Sequence, residues 1–130
     1  MKVLLTGHSG FIGQNLLKYL LKKKIDLFIT KHNNIKLIGK KKIKIIDLNS
    51  RLNQKKLLTN FDLVIHAAWS SLENYNSTNH IKKILPENIK FLKKLIYLGA
   101  KNLVVLGTCF ELGDCLGEVK ETQIMKPNTQ

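Results

Sequence analysis

The eight residues Thr6-Gly7-His8-Ser9-Gly10-Phe11-Ile12-Gly13 constrain this chain more than any other stretch of it. They follow a short apolar run, residues 2–6, and open a stretch in which Phe11, Leu16, Leu17, Leu20 and Leu21 recur at helical spacing. The order is strand, glycine turn, helix. Gly7 would allow the tight turn, Gly10 would let a diphosphate approach backbone N–H groups, and Gly13 would let the helix pack closely on the sheet. The positive end of the helix dipole favours the same anionic ligand. The plain alternative is that the glycines only make a turn.

The rest of the chain repeats the alternation. Residues 25–30, 43–46, 61–66 and 102–106 read as strands apolar enough to be buried on both faces. Arg51 to Leu58 reads as a short helix. Pro86 opens another, with Ile89, Leu92, Leu95 and Ile96 on one face and Gly99 as its carboxyl-terminal cap. Strands alternating with helices predict an α/β, Rossmann-like, doubly wound parallel sheet of order 3-2-1-4-5. Such a sheet binds ligands at the strand carboxyl ends beside the reversal. Gly7 to Gly13, Lys31, Asp47, His66 to Trp69 and Gly107-Thr108 are expected to converge there.

At 130 residues the chain is one domain, 1–130. A formal charge of +13 raises nucleic acid as a partner, yet every basic residue but Arg51 is lysine, which lacks the bidentate fork of specific recognition. The runs Lys22-Lys23-Lys24 and Lys40-Lys41-Lys42 therefore read as solvated surface. No specific nucleic-acid partner is expected. No apolar run is long enough to span a bilayer and no signal peptide is evident, so a cytoplasmic protein with no membrane partner is expected. Cys109 and Cys115 are too few for a disulfide scaffold and lack the histidines of a zinc site, so both are read as thiols and no metal is expected.

With its strand–helix context, Thr6-Gly7 to Gly13 resembles the extended short-chain dehydrogenase/reductases, the NAD-dependent epimerase/dehydratase family. The resemblance covers the whole chain. It implies cofactor contacts at Gly7, Gly10, Phe11, Ile12 and Gly13. Asp47-Leu48 resembles the family's adenine-binding aspartate after the third strand, and His66-Ala67-Ala68 its His-x-Ala segment beside the cofactor. Asn88 falls on an asparagine early in the helix before the fifth strand. Gly107-Thr108-Cys109-Phe110-Glu111-Leu112-Gly113 resembles the segment that carries the catalytic hydroxyl, here Thr108.

A subgroup that reduces nucleotide-activated 4-keto-6-deoxy sugars at C4 fits best, on His66-Ala67-Ala68-Trp69, Asn74-Tyr75 and Gly107 to Glu111. Leu112 departs from it, since tyrosine is usual there. Trp69 and Thr108 would then face the substrate, a nucleotide sugar. Several of these residues have simpler readings. Asp47 could be a loop carboxylate, His66 a histidine satisfied by backbone, Trp69 plain core, Asn88 a helix cap and Lys31 a solvated lysine.

Thr30-Lys31-His32 carries no carboxylate for the ribose hydroxyl of NAD, which tilts the choice between NAD and NADP towards NADP.

The family's Tyr-x-x-x-Lys motif should follow a Glu-x-x-x-x-x-Pro-x-x-Pro pattern. Glu121 and Pro127 reach that point, and the tyrosine would be the next residue after Gln130. Tyr19, Tyr75 and Tyr97 all precede the fifth strand. The expectation is a partial dinucleotide-binding domain, truncated before the later strands and substrate domain, with no turnover by itself and a tendency to associate. A homodimer is compatible with it. The alternatives are part of a nucleotide-sugar 4-epimerase or dehydratase, and a non-catalytic dinucleotide-binding remnant.

Overall fold

A computed structural model describes residues 1–30, 43–46, 60–74, 76–97, 99–115 and 117–127. Strand β1 (Lys2–Thr6) leads through the glycine turn into helix α1 (Phe11–Leu20). Strands β2 (Asp26–Thr30), β3 (Ile43–Ile46) and β4 (Leu63–His66) follow. A π-helical turn (His80–Ile84) runs directly into helix α2 (Leu85–Tyr97), and β5 (Leu103–Val105) is followed by a 3-10 turn (Cys109–Leu112). The five strands form one sheet of order β3-β2-β1-β4-β5, and every neighbouring pair is parallel. The expected order holds. The expected helix over Arg51–Leu58 and the site residues Lys31, Asp47 and Leu48 lie outside the described residues.

Because side chains alternate along a strand, the parallel sheet needs cover on both faces. On one face Leu4, Phe28, Ile46, Phe61 and Val64 pack with Leu95 of α2, and Phe28 meets Phe61 edge to face at 5.3 Å. On the other, Val3, Leu5, Leu27 and Ile29 pack with Leu20 of α1. The central strands are buried as expected. The flanking ones are not: Lys44 and Ile45 of β3 and Val104 and Val105 of β5 are exposed. Among the described residues each flanking strand has one neighbour in the sheet, so less of them covers it.

Two expectations about the helices need correction, and a third gains an unforeseen turn. α2 starts at Leu85, one residue before the expected Pro86, but a π turn over His80–Ile84 runs into it. Proline has no N–H to continue an α-helical ladder, and the turn before it widens, with Leu85 N–H bonding to His80 C=O five residues back. The inward face of α2 carries Asn88, Phe91, Leu92 and Leu95, whereas Ile89 and Ile96 are exposed. Phe11 is likewise 87% exposed, because it begins α1 at the lip of a cavity and not over the sheet. Gly99 does cap α2: at φ +91° it bonds to Ile96 C=O, and Ala100 N–H reaches Leu95 C=O, the Schellman pattern.

Candidate functional site

The carboxyl ends of β1 to β4 open into a cavity of about 860 Å³, a size usual for cofactor sites. Thr6, Thr30, Ile46 and His66, the last residues of those four strands, all line it. Gly7 to Gly13 form its floor at the point where the strand order reverses. Ala67, Ala68, Trp69 and Ser70 wall one side, and Glu87, Asn88, Lys90, Phe91 and Lys94 of α2 wall another.

The glycines of the floor differ in what they do. Gly7 has φ +70°, and a Cβ there would lie 2.3 Å from the Ala67 carbonyl oxygen, so the turn is pressed against the end of β4. A Cβ on Gly13 would lie 1.9 Å from the Gly7 carbonyl oxygen. Neither position has room for a side chain. Gly10 has φ −75°, and its Cβ would meet only the Gly7 carbonyl oxygen, at an ordinary 3.4 Å. Protein packing therefore does not require glycine at position 10. Gly10 is the N-cap of α1, makes no side-chain cap, and is followed by no acidic residue in the first turn. The first helical bond is Gln14 N–H to Gly10 C=O at 2.9 Å. The N–H groups of Phe11, Ile12 and Gly13 precede it, at the positive end of the dipole.

His66 sits 4% exposed at the end of β4 and spends both ring nitrogens on protein. Nδ1 is 2.8 Å from Thr6 Oγ1, and Nε2 is 3.1 Å from Asn88 Oδ1. Asn88 Nδ2 donates to the Ile84 carbonyl at 3.0 Å, which leaves Oδ1 as the acceptor. Hence His66 Nε2–H donates to Asn88, and Nδ1 accepts from the Thr6 hydroxyl. Burial pushes its pKa below the ordinary value, and the Asn88 bond raises it partly back. The simpler readings of both residues fail: His66 is satisfied by side chains and not by backbone, and Asn88 lies inside a continuous helix where it cannot cap.

Trp69 lines the cavity at 41% exposure, so it is not core. Its indole N–H donates to His80 Nδ1 at 3.0 Å. Gly107 and Thr108 are not among the lining residues. They follow β5, one strand farther from the reversal, where Thr108 caps the 3-10 turn by accepting from Phe110 N–H at 3.3 Å. The structure thus gathers Gly7 to Gly13, His66 to Trp69 and Asn88, and leaves Thr108 beside them.

Two pairs with the Tyr-x-x-x-Lys spacing exist, and neither lies in the cavity. Tyr19 is near the far end of α1 with Lys23 Nζ 4.5 Å from its ring centroid. Tyr97 is 89% exposed, and Lys101 is paired with Asp62 at 2.8 Å. Sequence reading missed His80, a buried residue that stands behind Trp69, and it missed that α2 supplies Glu87, Lys90 and Lys94 to the cavity wall. Glu87, Lys90, Phe91 and Lys94 recur at intervals of three and four residues along one helical stripe, and that spacing was the available signal. Among the described residues no group of histidine, cysteine, aspartate or glutamate is arranged to hold a metal ion, and no helix is long and apolar enough to cross a membrane.

Known proteins bear on this geometry. The model of the NAD dependent epimerase/dehydratase family matches residues 3–130. The dTDP-6-deoxy-L-talose 4-dehydrogenase (NAD(+)) of Aggregatibacter actinomycetemcomitans is 27% identical over 124 residues, which are 92% of this chain and 46% of that protein. The structure of UDP-glucuronic acid 4-epimerase from Bacillus cereus in complex with NAD superposes with a TM-score of 0.74 at 24% identity, over 99% of this chain and 47% of that one. UDP-glucose 4-epimerase from Thermotoga maritima, with UDP-glucose, gives 0.74 at 18% identity, over 99% and 46%. The chain spans about half the length of these relatives, and the likeness to the solved structures is one of fold.

Proposed function

The chain belongs to the NAD dependent epimerase/dehydratase family, and from that premise we propose that it binds a nicotinamide dinucleotide in the cavity above β1 to β4. Its place is then the cofactor-holding part of a sugar-nucleotide oxidoreductase. Gly10 carries the reading. Its missing side chain serves no packing need and leaves open the space above an uncapped helix N-terminus, where the diphosphate would accept from the N–H groups of Phe11, Ile12 and Gly13. Gly7 and Gly13 hold that floor in shape.

The adenosine end would extend towards Thr30 and Ile46, and on to Lys31, Asp47 and Leu48. The nicotinamide end would extend towards His66, Ala67, Ala68 and Trp69. With both ring nitrogens engaged, His66 shapes this wall through Thr6 and Asn88 and does not bond to the cofactor itself. Asn88 acts in the same indirect way. Lys31, with no carboxylate in Thr30-Lys31-His32, supports acceptance of the extra phosphate of NADP.

A reduced nicotinamide dinucleotide held over Gly7 to Gly13 would supply a hydride for a carbonyl carbon. Support for a nucleotide-activated 4-keto-6-deoxy sugar as substrate, with reaction at C4, comes from the talose dehydrogenase relative and from the segments at 66–69 and 107–111. Thr108 is the residue proposed for catalysis: its Oγ1 accepts from Phe110, which leaves the hydroxyl proton free to donate to a substrate oxygen. Neither tyrosine–lysine pair reaches the cavity, so the 130 residues are read as binding cofactor without turnover.

Isothermal titration with NADH and NADPH tests the reading. Both should bind the 130-residue protein with a dissociation constant of roughly 1 μM to 1 mM, and Gly10→Ala should weaken binding about tenfold or more with no change in its melting temperature. Absence of binding by the unsubstituted protein would sink the proposal. A strong preference for NADH over NADPH would remove the role given to Lys31.

A further inference from the structure

Trp69 and His80 form a linked pair across the segment that leaves β4. The indole Nε1–H donates to His80 Nδ1 at 3.0 Å, and the two rings lie within 12° of parallel with centroids 6.1 Å apart. A bond that short with centroids that far apart means the rings meet edge to edge in nearly one plane, not face over face. On its other side His80 Nε2 donates to the Asn74 carbonyl at 2.9 Å. Only a neutral imidazole with its proton on Nε2 satisfies both contacts.

His80 is 8% exposed and does not line the cavity, whereas Trp69 does. An indole on a loop has two side-chain torsions, each with several rotamers, and the bond to buried His80 selects among them. Since His80 begins the rigid run that continues as α2, it ties the ring to the same helix that sends Asn88 to His66.

We propose that His80 is a positioning residue which locks the Trp69 indole as a fixed aromatic wall at the nicotinamide side of the cavity. This rests on the dinucleotide reading given above. A ring held in one plane offers a flat apolar surface to the nicotinamide without ordering cost at the moment of binding.

Trp69 is the one tryptophan of the chain, so its emission reports this pair alone. The experiment compares unsubstituted protein, His80→Ala and His80→Gln by indole emission and anisotropy, and by energy transfer from Trp69 to bound NADH. Glutamine can accept from the indole with its oxygen and donate to Asn74 with its amide nitrogen. Expected for His80→Ala are a red-shifted emission, lower anisotropy and NADH affinity weaker by roughly threefold to tenfold, the weight of one such bond. His80→Gln should restore all three. In Trp69→Phe, which keeps a ring and loses the donor, adding His80→Ala should produce no further loss of affinity.

Should His80→Ala fail to fold, the emission of His80→Gln and the affinity of Trp69→Phe still decide the matter. Emission and anisotropy unmoved by folded His80→Ala, or an altered spectrum in His80→Gln, would overturn the role of His80 while NADH binding kept the dinucleotide reading. No NADH binding by the unsubstituted protein would overturn that reading and with it the role of the indole wall.

Discussion

Thr6 and His66 are register partners on the adjacent strands β1 and β4, and their side chains are joined at 2.8 Å. The bond closes the floor of the cavity between the glycine turn and the segment Ala67–Trp69. It also makes His66 a link in a chain of side chains, Thr6 to His66 to Asn88, that fastens α2 to the sheet.

This chain sets a pH dependence. His66 titrates below its ordinary 6.5 in the folded protein. The unfolded chain therefore binds the proton more readily, and stability rises with pH wherever the unfolded state carries more protons. The contribution of His66 should be complete above pH 6.5 and should fall progressively as the pH drops through the window between that value and the lower folded one. Urea unfolding of the unsubstituted protein and of His66→Gln across that range would check it. The slope should be absent from the variant.

Asn88→Ala removes the acceptor of His66 Nε2 and leaves a buried N–H without its partner. A cost of about 1–3 kcal/mol is expected, measured by urea unfolding. Asn88→Asp keeps an acceptor in place and should recover part of that loss.

Gly13→Ala should behave unlike Gly10→Ala. A methyl group 1.9 Å from the Gly7 carbonyl oxygen cannot be accommodated without moving the turn, so thermal stability and NADH binding should fall together. In Gly10→Ala only binding should fall. Melting curves with and without NADH separate the two outcomes, and a Gly13→Ala protein as stable as the original would contradict the packing described.

At the opposite end of the sheet Asp62 accepts from Lys101 Nζ and from Lys2 N–H, both at 2.8 Å. These hold its carboxyl below the ordinary 3.8, with the Lys101 bond the larger cause. Its contribution should be present above pH 3.8 and be lost as the pH falls through the lower folded value. Asp62→Asn should therefore lower stability slightly at neutral pH, flatten the acid limb, and leave NADH titration unchanged. A loss of NADH affinity in this variant would show that the two ends of the sheet are coupled.

Much of this architecture was legible in the sequence. Strand order followed from short apolar runs alternating with helices, and the glycine turn followed from Gly7, Gly10 and Gly13 in that context. Gly99 announced its cap because few residues other than glycine adopt φ +91° readily. The π turn ahead of α2 was missed because proline is common at a helix's first turn, and nothing local distinguishes that position from a proline after a π turn. Ile89 and Ile96 were misplaced for a related reason: apolar residues also occur on an outer face, while the inward face contains the polar Asn88. The pairing of Trp69 with His80 has no periodic signature. It depends on how a loop folds back, which tertiary structure decides.

Pro86 has a consequence that extends past its own turn. His80 and Asn88 ride on one helical rod and serve different walls of the cavity, so the angle between them about the rod axis is a functional quantity. A π turn advances fewer degrees per residue than an α turn, and Pro86 has no N–H with which to close an α-type bond back to Lys82. Pro86→Ala, which restores an N–H there, is expected to let the rod rewind and shift the His80–Trp69 and Asn88–His66 contacts relative to each other, read as a change in Trp69 emission.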